Sequence, residues 1–297
     1  VITDHHHCKD RIPDAVAVVD PRRPDCPYPF PELAGVGVAL KVAQALVPPE
    51  DRAKVFLRFG ELAAIGTVAD VMRLTDENRS MVHMGLDLLG HTKRPGLRAL
   101  LREAGLDPGA IPTAVTIGYG LAPRINAAGR MEQAMAALDM LYTREEHRGE
   151  QLAQTLCRLN RERQTIELAI YEQCVELLEA RPQLASPAIV LAGEGWHQGV
   201  VGIVASRLTE KYACPAFMIC LEHGMGKGSC RSFGGFNLFA ALERCAHLLD
   251  QYGGHGMAAG VTIREEHIPA FQEIIRELVS AHTGGRPMEA AIDVDAE

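Results

Sequence analysis

Asp4, His5, His6 and His7 bring one carboxylate and three imidazoles together within a single turn near the start of the chain. Hard and borderline divalent cations take these donor types. The four residues follow Val1–Thr3, which favour a strand, in the run VITDHHH. A buried strand ending in such a turn delivers ligands to the carboxyl edge of a parallel sheet, where open α/β sheets build their sites. The same letters also suit an ordinary polar turn or the remnant of an affinity tag. A second acid, Asp70, closes the apolar run ELAAIGTVAD much as Asp4 closes VITD, which makes it a second candidate ligand. Its alternative role is a helix N-cap or turn acid. Asp20 ends the run AVAVV, but Pro21 and Pro24 beside it favour a plain turn.

Other stretches carry groups suited to anions. GLAPRINAAGR sets Arg124 and Arg130 around Asn126 among small residues. Arginine is the preferred phosphate clamp, although a surface loop carries arginines too. GEGWHQGVVGIVAS places Trp196 and His197 in a glycine-flanked loop ahead of a helix. A helix N-terminus attracts anions and an aromatic ring stacks on a base. A Trp packed beneath the loop fits equally well. GKGSCRS offers Lys227, Ser229, Arg231 and Ser232 to phosphate oxygens, and GGHGMAAG offers bare backbone and His255. The P-loop pattern GxxxxGK[ST] does not occur, so the two stretches describe a groove for a phosphodiester backbone rather than a nucleotide cradle.

The elements that must position these groups read as α/β. Val1–Thr3 and Ala15–Val19 suit buried strands of a parallel sheet, and the proline-rich RRPDCPYPFPE interrupts regular structure after them. Leu33–Leu46, Asn78–Leu89, Gly96–Ala104 and Glu132–Leu141 suit helices. Thr143 opens a capping-box pattern with Glu146, and proline is absent from Arg144 to Ala180. That span allows a charged connecting helix of about 37 residues, or about 55 Å. Beyond Arg181-Pro182 the pattern becomes strand, helix, strand, a glycine- and serine-rich basic strand or loop, helix, glycine-rich turn, strand and closing helix.

With 297 residues, about two domains are expected. The net charge of -8 excludes a broadly basic nucleic-acid coat and confines any such partner to a local groove. No apolar run reaches the roughly 18 residues of a membrane span. The eight cysteines show no CxxC spacing, which argues against a zinc finger and suits buried thiols in a reducing cytoplasm.

Taken in order, TDHH after a strand, GTVAD, PRINAAGR, GEGWHQGVVGIVASRL, GKGSCRS and YGGHGMAAG resemble the RecJ family of bacterial single-strand-specific 5′→3′ DNA exonucleases. That family lies within the DHH phosphoesterase superfamily. The resemblance covers nearly all of Val1 to Ala281. It implies an α/β protein of two lobes, a truncated parallel-sheet DHH domain and a smaller DHHA1 domain, joined by a long helix. The expected boundaries are 1–131 for the C-terminal part of the DHH domain, 132–182 for the connector, 183–282 for DHHA1 and 283–297 for a linker into an OB-type domain. The resemblance also implies a two-metal site for Mn2+ or Mg2+, with His5 and Asp70 as ligands and Asp4 and His6 supporting them or touching phosphate. Arg124 and Asn126 then contact the strand near the scissile phosphate. Lys227, Ser229, Arg231, Ser232 and His255 line a groove that tracks single-stranded DNA threaded between the lobes. The implied setting is DNA repair and recombination, alongside a helicase and a single-strand-binding protein.

The chain departs from the family pattern at His7, Ala122 and Gly256, and the family's upstream aspartates are not within it. With those aspartates outside it, the 297-residue piece alone is expected to be inactive or nearly so. Two rival readings remain: a phosphodiesterase of short oligonucleotides or cyclic dinucleotides in the same superfamily, and a non-catalytic nucleic-acid-binding scaffold.

Overall fold

The computed structural model describes residues 1–6, 8, 12–107 and 109–289, so His7 and the IDVDAE tail lie outside the described residues. The chain divides into two compact units, Val1–Asn160 and Arg161–Glu297. No helix among the described residues is long and apolar enough to cross a membrane.

In the first unit, β1 (Ile2–Thr3) pairs in parallel with β2 (Val18–Val19), Ile2 opposite Val18 and Thr3 opposite Val19. The second strand is shorter than the expected Ala15–Val19 because its first residues run in solvent, Val16 being 99% exposed. Helices make up the rest: α1 (Gly35–Ala45), α2 (Arg52–Ala69), α3 (Asp76–Gly90), α4 (Pro95–Glu103), α5 (Ala122–Arg130) and α6 (Ala134–Tyr142). A π-turn over Thr116–Leu121 leads into α5. The apolar run before Asp70 is therefore the last part of a long helix, and Asp70 is its C-cap rather than an N-cap. Small residues let these helices approach closely. A Cβ on Gly66 of α2 would lie 2.6 Å from Val36 of α1, and one on Gly85 of α3 would lie 2.5 Å from Ala64 of α2.

Helix α7 (Glu146–Ala180, 35 residues) runs through the division of the chain. In the second unit, β3 (Ile189–Glu194), β4 (Ala216–Glu222), β5 (Met225–Arg231), β6 (Leu249–Gly254) and β7 (Ala258–Arg264) form a sheet of order β3-β4-β5-β7-β6. β3 and β4 are parallel, joined through α8 (Gln198–Tyr212), and the other pairs are antiparallel.

Side chains alternate across a strand, so cross-strand partners share a face. On one face, Cys230, Ala259, Val261 and Ile263 bury against Leu238, Ala241 and Leu242 of α9 (Leu238–Arg244) and Phe271, Ile275 and Val279 of α10 (Ile268–Thr283). On the other face, α8 and the Ile170–Leu178 part of α7 cover Ile189, Leu191, Ala216, Met218 and Cys220 of β3 and β4. That cover does not extend over β7 and β6. On that face β5 carries Lys227 beside Thr262 of β7, Ser229 beside Gly260 and Arg231 beside Ala258, with Gln251 and Gly253 of β6 one strand further on, and α8 reaches Ser229 and Arg231.

Candidate metal corner and nucleic-acid face

The first candidate site is a corner beyond the β1 edge. Asp4 Oδ1 accepts from the backbone N–H of His5 at 2.7 Å and of His6 at 3.2 Å, and meets the His6 ring Nδ1 at 2.7 Å. One oxygen thus sets the turn. The hydrogen bond from the His6 ring, with those of the two backbone groups, holds the Asp4 carboxyl below its ordinary value despite some desolvation. The turn carries the His5 ring against the start of α1, where a Cβ on Gly35 would lie 3.4 Å from His5 Cδ2. His5 Nε2 then stands 3.4 Å from Asp70 Oδ2 at the end of α2.

His5, Asp70, Asn126, the α1 N-cap Ala34 and the first α1 residues Gly35 and Val36 line one cavity of about 400 Å³ with Gly66 and Ala69. The donor atoms of Asp4, His5 and His6 all lie within 4.8 Å of one another. Imidazole and carboxylate converging on an open cavity fit a divalent cation. The N-terminal end of α1 adds backbone N–H groups and a favourable dipole for an anion beside it. The Ala34–Val36 and Gly66 contribution was missed from the sequence, although the small residues of LAGVG and IGTVAD were its visible signal.

The arginine stretch splits up. GLAPRINAAGR is the end of the π-turn followed by α5 rather than a loop. At 100° per residue, Arg124 and Asn126 point to nearly opposite sides of a helix. Asn126 faces the cavity, while Arg124 Nη1 turns back to donate to the Gly120 carbonyl at 2.5 Å. Arg130 is the last residue of α5, one turn beyond Asn126. Asp20 is buried and spent on local structure, accepting from Arg22 N at 2.8 Å and from the Cys8 thiol at 3.2 Å.

The second candidate site is the face that β7 and β6 leave open beside β5, where α8 reaches Ser229 and Arg231. Lys227, Ser229 and Arg231 alternate along β5 with Gly226, Gly228 and Cys230, which face the core. Two residues of strand advance about 6.8 Å, so the three polar groups recur at a pitch suited to successive phosphates of an extended strand. Beside them the floor is bare. A Cβ on Gly253 would meet nothing within 4 Å, and one on Gly260 only the Gly228 carbonyl at 3.6 Å. Among the described residues no carboxylate comes within ion-pair distance of Lys227 or Arg231. Burial pushes the Arg231 guanidinium down from its ordinary value, as for a cation withdrawn from water without a counter-ion.

The remaining expected contacts also make local interactions within the chain. The Trp196 indole lies over Gly193, where a Cβ would come within 2.4 Å of the ring, and donates to Gln173 Oε1 at 3.1 Å. His197 caps α8 by accepting from Gly199 N at 3.1 Å. Ser232 is buried beyond β5 and donates to the Phe236 carbonyl at 2.5 Å, so it does not share the open face. His255 is exposed in the bend joining β6 and β7, and its Nδ1 accepts from Met257 N at 3.3 Å.

Comparison with known proteins bears on each of these regions. The family model for the DHHA1 domain matches residues 185–281, which hold the open sheet. The Single-stranded-DNA-specific exonuclease RecJ of Bacillus subtilis is 43% identical over 94% of this chain, and the chain spans 35% of that relative's length. The crystal structure of RecJ in complex with Mg2+ from Thermus thermophilus superposes with a TM-score of 0.77 at 35% identity, covering 89% of this chain and 40% of that one. A crystal structure of exonuclease RecJ bound to manganese gives a TM-score of 0.75 at 35% identity over 94% of this chain and 68% of the other. With both of its compact units inside that match and the open sheet inside the DHHA1 one, this chain belongs to the RecJ family.

Proposed function

We propose that the protein carrying this chain is a divalent-cation-dependent exonuclease that hydrolyses single-stranded DNA from its 5′ end. The observation that carries the reading is the convergence of His5, Asp70 and Asn126 on one cavity beside the α1 N-terminus. His5 and Asp70, supported by Asp4 and His6, are the residues to hold Mn2+ or Mg2+, the ions present in the solved RecJ structures. When bound, such an ion supplies Lewis-acid stabilisation of the phosphoryl oxygens. The chain's own groups do the rest. Asp4 fixes the orientation of His5, Asn126 offers an amide to the phosphate, and the α1 N-terminus favours its negative charge. Lys227, Ser229 and Arg231 grip flanking phosphates without reading bases, which suits an enzyme indifferent to sequence.

In this reading residues 1–131 belong to the DHH domain, 132–182 to a connector and 183–282 to DHHA1. The setting is cytoplasmic repair and recombination, with a helicase and a single-strand-binding protein as partners. The deciding assay gives the full-length protein and its His5→Ala variant a long single strand, a duplex and a dinucleotide with Mn2+. Rapid degradation of the long strand alone, abolished in the variant, is expected. Preference for the dinucleotide supports the short-oligonucleotide rival instead, and undiminished activity of the variant removes His5 from the ligand set.

A further inference from the structure

Arg231 reaches the open face from a seat on α8 that has so far been given no role. Its Nε donates to Ser206 Oγ at 3.2 Å, and Ser206 Oγ in turn donates to the Gly202 carbonyl one helical turn earlier at 3.2 Å. Nη1 donates to the Cys230 carbonyl at 2.9 Å. Two of the three guanidinium nitrogens are thus tied to neutral oxygens, and Nη2 remains. Gly202 makes room for it: a Cβ there would lie 3.1 Å from Arg231 Nη2 and 3.1 Å from Ser229 Oγ. Helix α8 therefore supplies a hydroxyl where the guanidinium needs an acceptor, and only hydrogen where it needs space. The neutrality of the acceptor matters. A carboxylate in place of Ser206 would hold the fork as well but would cancel the charge a phosphate must find.

We infer that Ser206, with Gly202 beneath it, is a positioning residue that aims the uncompensated Arg231 guanidinium at a backbone phosphate of the single strand. This rests on the proposed nucleic-acid role of the sheet face. Ser206 acts through Arg231, so its removal weakens the phosphate contact without deleting a charge from the protein.

The test measures binding of the 297-residue chain to a fluorescent oligo-dT across a salt series, for wild type, Ser206→Ala, Ser206→Thr, Gly202→Ala, Arg231→Gln and the Ser206→Ala/Arg231→Gln double variant. A hydrogen bond of ordinary net strength predicts a loss of about five- to tenfold for Ser206→Ala. The slope of log affinity against log salt should fall towards that of Arg231→Gln, which loses about one unit. Ser206→Thr should restore binding, and Gly202→Ala should reproduce the loss by crowding Nη2 with the hydroxyl intact. In the Arg231→Gln background, Ser206→Ala should cost nothing further. An equal loss in that background, or wild-type affinity and slope in both Ser206→Ala and Gly202→Ala while Arg231→Gln binds weakly, overturns the inference alone. If Arg231→Gln matches wild type, or wild type binds no single strand, the sheet-face reading falls and takes the inference with it.

Discussion

The metal corner and the open sheet face meet charge in opposite ways. In the corner each imidazole already faces a carboxylate: His5 faces Asp70, and His6 faces Asp4. On the sheet face Lys227 and Arg231 stand without an acid among the described residues. A matched imidazole–carboxylate set can admit a cation, because Asp70 is 45% exposed and its contact with His5, at 3.4 Å, is loose. Such a pair contributes little to stability by itself. An unmatched, partly buried guanidinium stores the opposite preference and is relieved by an anion. On the proposed function, the corner suits a divalent cation and the sheet face suits an anion.

The largest expected effect is in the corner. Asp70→Asn and His5→Ala should each weaken Mn2+ binding by on the order of tenfold to a hundredfold in calorimetry, with the far-UV spectrum unchanged. Equal affinity in wild type and both variants would show that the pair is merely a structural contact.

Next comes the contrast between the two sides of β5. A Cβ on Gly228 would meet Val261 Cγ2 at 2.8 Å and the Met218 carbonyl at 3.2 Å, so Gly228→Ala should cost about 1–3 kcal/mol in urea unfolding. Ser229→Ala on the open side should stay within about 0.5 kcal/mol while weakening DNA binding. Similar stability losses for the two would mean that the face is not open.

The buried thiols give a pH test. Burial raises Cys174 and Cys230 from 9.0 to about 12, and Cys214, Cys220 and Cys245 to about 11. Between pH 9 and about 11 the unfolded chain has lost these protons and the folded chain has kept them. Stability should therefore fall as pH rises through that window, by at most about 1.4 kcal/mol per thiol per pH unit. A melting temperature flat from pH 8.5 to 10.5 would contradict this. The smallest effect is Lys227→Gln, which should reduce oligo-dT affinity a few-fold and the salt slope by about one. A slope that does not change would take Lys227 off the phosphate path.

Much of this was legible in local sequence. GKGSCRS reads as a basic strand or loop, and all of it but Ser232 lies in β5, with Lys227, Ser229 and Arg231 on one side. Local sequence is silent where an element's phase or a long-range contact decides. PRINAAGR does not reveal that it is helical, so Arg124 and Asn126 looked like partners until the helix turned them apart. Ser232 shares its motif with Arg231, but the chain leaves the strand between them and buries the hydroxyl. Trp196 packs over Gly193 and donates to Gln173 of α7, and His197 caps α8, contacts that no local pattern announces.

Residue types and their spacing determined which chemistry was available: carboxylate and imidazole in one turn, and alternating cations on one strand. Tertiary packing alone decided which groups meet. The approach of α1 to α2, possible because Gly66 leaves room for Val36, sets the corner where His5 and Asp70 face one another. The bare Cα of Gly202 lets Arg231 settle on Ser206. Local pattern encodes the face a side chain takes, whereas distance between faces depends on close packing of residues far apart in sequence, which no local pattern carries.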